Sequence, residues 1–243
     1  MYNIYIGYDE REKIAVEKLI KSINKYQSKL ISVKLLKLDS LRHSGLYRRT
    51  PDINSTCWGD NQDGIMRDNI DKRPFSTDFS FSRFLVPFLN LHQGWALFMD
   101  CDMFFRYNPI ELFDTHNDPK YAVYCVKHNL KKKEGLKMYG CPQTNYSRKN
   151  WSSFILWNCE HPSNKNLTVD DVNTKSGNWL HNFKWLNDNE IGEINEEWNW
   201  LDSISSDNIN PKNVHFTTGG PWFKKWKPIR PIDKIYVDEW YKI

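Results

Sequence analysis

Apolar positions fall into helix and strand periods from the start of this chain. Residues 3–9, Asn-Ile-Tyr-Ile-Gly-Tyr-Asp, read as a strand running into a turn. Over residues 10–26, Val16, Leu19, Ile20 and Ile23 recur at helical spacing with Lys and Glu between them, which predicts an amphipathic helix. Residues 30–38, rich in Ile, Val and Leu, predict a second strand. Strand, helix, strand is a βαβ unit, the mark of an α/β protein with a mostly parallel sheet. Residues 40–75 carry little periodicity and many polar groups, so an irregular excursion with short helices is expected there. Loops of that length in compact domains are usually functional or mobile. A helix is predicted over 76–92, capped by Ser76 or Thr77. Phe81, Phe84, Leu85 and Phe88 form its apolar face, Pro87 bends it, and Gly94 ends it.

The strongest element comes next. Residues 95–99, Trp-Ala-Leu-Phe-Met, make an unbroken apolar run, the pattern of a strand buried on both faces in the middle of a sheet. It runs into Asp100-Cys101-Asp102 and turns apolar again over 103–106. A short helical turn is expected at 109–113, a strand at 121–126, and a solvated basic loop or a basic site at 127–137. Residues 151–158, Trp-Ser-Ser-Phe-Ile-Leu-Trp-Asn, predict another buried strand whose small first residues leave room for a ligand. Trp179, Leu180, Phe183 and Leu186 predict a helix over 177–189, and 213–222 reads as a short strand entering a Gly-rich turn. No repeat and no linker divides the chain, so one domain over 1–243 is expected, with a nucleotide-binding half to about residue 106 and an acceptor half over 107–243.

Composition narrows the function. The chain has 243 residues, enough for a sizeable core, with 40% hydrophobic and 26% charged residues, as in soluble proteins. Aromatic residues reach 15% with 11 Trp, which serves a core or the stacking of sugar rings. A net charge of +4 is too small to argue for nucleic acid but suits an anionic nucleotide substrate. Five scattered Cys with no C-x-x-C pair fit reduced cysteine in the cytoplasm rather than a disulfide framework or a zinc site. No signal peptide or transmembrane-length apolar run is visible, and the N-x-S/T triplets at Asn54, Asn145, Asn150 and Asn166 read as chance in an Asn-rich chain. An Asn- and Lys-rich composition fits an AT-rich genome, a viral one among them.

The chemistry gathers at Asp100 and Asp102. In extended chain, residues i and i+2 point the same way, so both carboxylates converge while Cys101 points elsewhere. They fall at the carboxyl end of the central strand, where ligands bind in open α/β sheets. Two carboxylates this close repel, and a hard divalent cation, Mg or Mn, relieves that repulsion. The alternative is that one Asp caps a turn and the other is solvated. Similar pairs of readings hold elsewhere. Gly7 permits a close approach and Asp9 a hydrogen bond from ribose or base, or Asp9 simply caps the first helix. Arg83 is a surface residue or a partner of the Asp pair or a diphosphate. His215 alone reads as a core strand His; beside Gly219-Gly220-Pro221-Trp222 it reads as a metal ligand.

Taken together, these pieces resemble the retaining glycosyltransferases of the GT-A fold, family 8 and its viral and bacterial relatives. The matching pieces, in order, are the strand ending at Tyr8-Asp9, the Arg83 segment, the D-x-D strand and the final His215-Phe216-Thr217 with its Gly-rich turn. The small-residue strand and the stretch from Trp185-Leu186 through Asp188 and Glu190 to Trp198–Leu201 also look like this group. The resemblance implies a GT-A-like, Rossmann-like α/β domain with a mixed, mostly parallel central sheet flanked by helices. It implies that Asp100, Asp102 and His215 hold Mn or Mg with the diphosphate of a UDP- or GDP-sugar. Gly7, Tyr8 and Asp9 would hold base and ribose, Arg83 the donor sugar or acidic pair, and the backbone of Gly219 and Gly220 the phosphates. Asp188 and Glu190 would lie near donor sugar and acceptor as catalytic or positioning groups. The acceptor would be a carbohydrate, a lipid-linked sugar or a protein. Two positions depart from the family: no Lys separates the glycines from Pro221-Trp222, and Trp151 stands where an Asn often begins the small-residue strand. A nucleotidyltransferase and a carbohydrate-binding relative without turnover are the competing readings.

Overall fold

The computed structural model describes residues 2–52, 66–130 and 147–243. Its core is a six-stranded sheet of β1 (Tyr2–Gly7), β2 (Ile31–Leu36), β3 (Trp95–Met99), β5 (Val123–Cys125), β6 (Phe154–Asn158) and β7 (Ile191–Glu193), in the order β2-β1-β3-β6-β5-β7. β1 pairs in parallel with β2 and β3, and β5 with β7, while β6 lies antiparallel to both β3 and β5. β6 therefore runs against the other strands, and the sheet is mixed but mostly parallel, as expected. β3 is central, with Ala96 to Met99 fully buried. The carboxyl ends of β1, β2, β3, β5 and β7 share one edge with the amino end of β6.

Helix α1 (Lys13–Tyr26) packs Val16, Leu19 and Ile23 onto this sheet, and a short 3-10 turn over Glu10–Glu12 leads into it. Asp9 accepts from the Arg11 backbone N–H, so the capping reading of Asp9 describes this turn. The predicted helix over 76–92 is broken. Only Ser82–Leu85, as a 3-10 turn, and α3 (Val86–Leu89) are helical. Pro87 sits in the first turn of α3, where its missing N–H costs nothing. Leu91 and His92 then take left-handed backbone angles. The helix predicted over 177–189 likewise shortens to α7 (Gly177–His181), because Phe183 adopts positive φ.

Elements outside the main periodic stretches complete the fold: α2 (Leu38–His43), α4 (Ile110–Thr115), α5 (Pro162–Lys165) and α6 (Val169–Thr174). A second sheet joins β4 (Met103–Phe105), β9 (Asn213–His215) and β8 (Trp200–Leu201), in that order. Helix α8 (Pro231–Tyr241) covers it, with Tyr236, Val237 and Trp240 against Phe104, Trp200, Val214 and Phe216. β4 follows directly on the D-x-D, and its Met103 pairs with His215. Among the described residues, no helix is long and apolar enough to cross a membrane. Cys101, Cys125 and Cys159 are buried free thiols. Cys57, Cys141, Asn54, Asn145 and parts of the stretches 40–75 and 127–137 lie outside the described residues.

Candidate metal centre at the sheet edge

β3 delivers Asp100 at its carboxyl end, the following turn presents Asp102, and β9 brings His215 across from the second sheet. One ligand atom from each lies within 4.8 Å of the others, and among the described residues this is the one such group of His, Cys, Asp or Glu. His215 Nε2 is 3.2 Å from Asp102 Oδ1. The two carboxylates are 15% and 17% exposed and the imidazole 4%, so the group is rooted in the core and open on its carboxylate side. Two carboxylates and an imidazole within this span are a donor set that fits a divalent cation accepting both O and N ligands, such as Mn. Burial opposes protonation of His215, but Asp102, Asp100 and Asp202 around it outweigh burial and hold its pKa above the ordinary value.

Arg83 is buried rather than on the surface. Its Nη1 lies 2.8 Å from Asp100 Oδ1 and donates to the Ser152 carbonyl at 2.7 Å, while Nε donates to the Ser80 carbonyl at 3.1 Å. The guanidinium also lies over the ring of Phe98, 4.9 Å away. Arg83 thus fixes the rotamer of Asp100 and ties β3 to the residues before β6.

The other expected residues separate. An added Cβ on Gly7 would lie 2.4 Å from the Phe79 ring, so the close neighbour that excludes a side chain there is the protein itself. Tyr8 donates its hydroxyl to Glu10. Both oxygens of Asp9 are engaged, by the Arg11 guanidinium and backbone and by the Asp78 N–H. Gly219 uses a φ of +99°, which favours glycine, and an added Cβ on Gly220 would meet the Trp222 ring at 2.1 Å. Asp188 and Glu190 do not join the cluster. Both precede β7, whose other end faces the edge that carries Asp100. The Asp188 side chain is 88% exposed and paired with Arg148. Glu190 closes a capping box with Asn187 and accepts from Ser163 at 2.5 Å.

Several residues that sequence reasoning passed over surround the cluster. Asn199 and Ser153 lie behind His215 (His215 Nδ1 to Asn199 Oδ1, 2.8 Å; Asn199 Nδ2 to Ser153 Oγ, 3.0 Å). Nothing local in Trp198-Asn199-Trp200 marks this Asn as a partner of His215. Asp202 accepts from the Thr217 N–H at 2.7 Å and from both Thr217 and Thr218 hydroxyls, which secures the turn after His215. Burial pushes the Asp202 pKa up to about 6. Glu12 is buried behind the D-x-D and accepts from the Cys101 thiol at 2.8 Å. Burial, then the nearby Asp102 charge, raises its pKa to about 8. His128, just past β5, is pushed down to about 4 by burial and by His215, so it is neutral at physiological pH.

No family model matches the chain. Protein CDI of Arabidopsis thaliana is 42% identical over 244 residues, a match covering 98% of this chain and 84% of that protein. Among solved structures, the bifunctional glycosyltransferase WbbM superposes with a TM-score of 0.59 at 15% identity over 99% of this chain, which spans only 51% of WbbM. The galactosyltransferase LgtC, solved with donor and acceptor sugar analogues, gives 0.55 at 12% identity, covering 99% of this chain and 96% of LgtC. A glycosyltransferase involved in glycosylation of the major capsid of PBCV-1 gives 0.53 at 10% identity, covering 100% and 99%. At these identities the likeness is one of fold. The chain belongs to the family of Arabidopsis Protein CDI and has the GT-A glycosyltransferase fold.

Proposed function

We propose that this chain is a metal-dependent glycosyltransferase that moves a sugar from a UDP- or GDP-sugar to a carbohydrate, lipid-linked or protein acceptor, with retention of anomeric configuration. The observation that carries the reading is the convergence of Asp100, Asp102 and His215 at the carboxyl end of the central strand. Those three residues would hold Mn or Mg, and the bound cation would offset the negative charge that a nucleoside diphosphate gains on leaving. Arg83 holds Asp100 in place, and the Asp202-secured turn keeps its backbone in a fixed conformation beside His215. The half before about residue 106 would bind the nucleotide, and the half after it the acceptor.

The arrangement of carboxylates supports retention. An inverting transferase needs a base, normally a carboxylate, opposite the leaving group. Asp188 and Glu190 are engaged elsewhere, and Glu12 is buried and hydrogen-bonded to Cys101. In the retaining reading, the leaving phosphate oxygen takes the acceptor's proton on the face of attack. Sealed in the core and bonded to the Cys101 thiol, Glu12 does not offer the third carboxylate ligand that the two-metal set of a nucleotidyltransferase would want. Reduced, buried thiols at Cys101, Cys125 and Cys159 fit action in the cytoplasm.

The test is a panel of UDP- and GDP-sugars incubated with the protein and Mn, with and without chelator, read as hydrolysis and as transfer to simple glycosides. Metal-dependent release of the nucleoside diphosphate from one donor is the expected result. Asp100→Asn and Asp102→Asn should each lower turnover by two or more orders of magnitude, about 3 kcal/mol or more of barrier, without unfolding the protein. Near-wild-type turnover by either folded variant at saturating Mn sinks the metal assignment. Proton NMR of fresh product shows the anomer, and a β-linked product from an α-linked donor ends the retaining reading.

A further inference from the structure

The proton positions around His215 can be traced from a fixed end. The Asn150 carbonyl can only accept, and Ser153 Oγ lies 2.7 Å from it, so the Ser153 hydroxyl donates there. Toward its other neighbour, Ser153 Oγ is then an acceptor. That neighbour is the Asn199 side chain at 3.0 Å, so the Asn199 atom facing Ser153 is the amide NH2. Its carbonyl oxygen consequently faces His215 Nδ1 at 2.8 Å. A carbonyl oxygen calls for a donor, so Nδ1 carries a proton. Nε2, the nitrogen beside Asp102, is left to serve as the ligand. Asn199, Ser153 and His215 are all buried, so bulk water does not compete for these bonds. The same network reaches the other metal ligand, because the Ser153 carbonyl accepts the Asp100 N–H at 2.9 Å.

We propose that Asn199 is a positioning residue that fixes His215 as its Nδ1–H tautomer, presents the Nε2 lone pair to the cation, and through Ser153 holds His215 in register with Asp100. The inference rests on the metal reading of the Asp100, Asp102 and His215 cluster. Its logic is general: a metal-bound imidazole is oriented by whatever accepts its other N–H, and loss of such a partner typically weakens metal binding roughly 10- to 100-fold. Asn suits the role because it offers an acceptor to His215 and a donor to Ser153 at once. Asp offers the acceptor alone, and Leu offers neither.

The experiment has two readouts, neither of them turnover. Nitrogen-15 NMR of the metal-free protein at alkaline pH reports the tautomer of His215, assigned by the loss of its signals in His215→Gln. Calorimetric titration with Mn alone reports affinity for wild type, Asn199→Leu, Asn199→Asp and Ser153→Ala, each checked for a native melting transition. The expected wild-type tautomer is Nδ1–H. Mn affinity should fall roughly 10- to 100-fold in Asn199→Leu, recover largely in Asn199→Asp, and fall less in Ser153→Ala, where the amide keeps its place but loses its anchor. An Nε2–H tautomer in wild type overturns the inference, as does unchanged Mn affinity in folded Asn199→Leu, or in Ser153→Ala should the Leu variant not fold. Wild type that shows the Nδ1–H tautomer but takes up no Mn overturns the functional reading, and with it the purpose assigned to Asn199.

Discussion

Glu12 shows how far one buried group can shape this site without touching a ligand. Its carboxyl is sealed behind Cys101 and feels the charge of Asp102, and its pKa rises from 4.5 to about 8. A carboxyl raised in the folded state contributes stability that is fully present below about pH 4.5 and is lost as pH rises through about 8. A tenfold change in proton affinity is worth about 1.4 kcal/mol, so the loss is on the order of a few kcal/mol. Glu12→Gln keeps an acceptor for the Cys101 thiol and has no proton to lose. Thermal melts of metal-free protein from pH 5 to 9 should therefore show the variant gaining on wild type as pH rises; parallel curves would refute the buried-acid account. At this scale the sequence was informative for some residues and silent for others. Asp100, Asp102 and His215 announce themselves by chemical type and by their place after apolar runs. Glu12 looked like one more charge on a helix surface, and Asn199 like one more polar residue between two Trp. What makes them matter is which neighbours bury them, and no local pattern encodes that.

Elements tell a similar story through their glycines and their breaks. Gly7 ends β1, and an added Cβ there would meet the buried Phe79 ring at 2.4 Å. Gly7→Ala should therefore cost roughly 1–3 kcal/mol of stability through overpacking. Phe79→Leu should relieve part of that cost, which a double-mutant cycle of melting transitions would reveal as coupling. If Gly7→Ala melts like wild type and instead loses affinity for UDP or GDP with Mn, the glycine serves a ligand and the packing account fails. The βαβ opening, the central strand and β6 were legible because each carries a helix-period or continuous apolar run that ends up in the core. The segment 76–92 was not. Its aromatic spacing imitates a helix, yet Phe79, Phe81 and Phe84 are buried among several different elements, while Phe88 is 41% exposed. Arg83 needs this irregularity: its Nε bonds to the Ser80 carbonyl and its Nη1 to that of Ser152, which a regular surface helix would not allow.

Across the whole molecule, the candidate centre spans two sheets. Asp100 leaves the six-stranded sheet, Asp102 leads into β4, and His215 sits on β9 of the three-stranded sheet. The second sheet has strands of only two or three residues, too short to signal themselves in sequence, and they come from 103–105, 200–201 and 213–215. Its coherence comes from α8, whose Trp240 is buried, and from the Arg106–Glu239 pair at 2.6 Å. Ile232, Tyr236, Val237 and Trp240 give α8 an apolar face, but that face has meaning only once the scattered strands have assembled beneath it. The placement of His215 therefore depends on a helix whose packing residues lie outside the cluster. Trp240→Ala should remove about 3–5 kcal/mol from this subcore. Hydrogen exchange should then show β4, β8 and β9 opening more often while β1, β3 and β6 keep their protection, and under the proposed function Mn affinity should drop because His215, the proposed third ligand, is no longer held. In wild type, Mn should do the reverse. A cation that binds only when both sheets are in place stabilises their docking by about 2.7 kcal/mol at a hundredfold excess over its dissociation constant. Added protection should concentrate on β4 and β9. Uniform protection of both sheets, or none, would mean that the cation does not bridge them, and that His215 is not the ligand that closes the site.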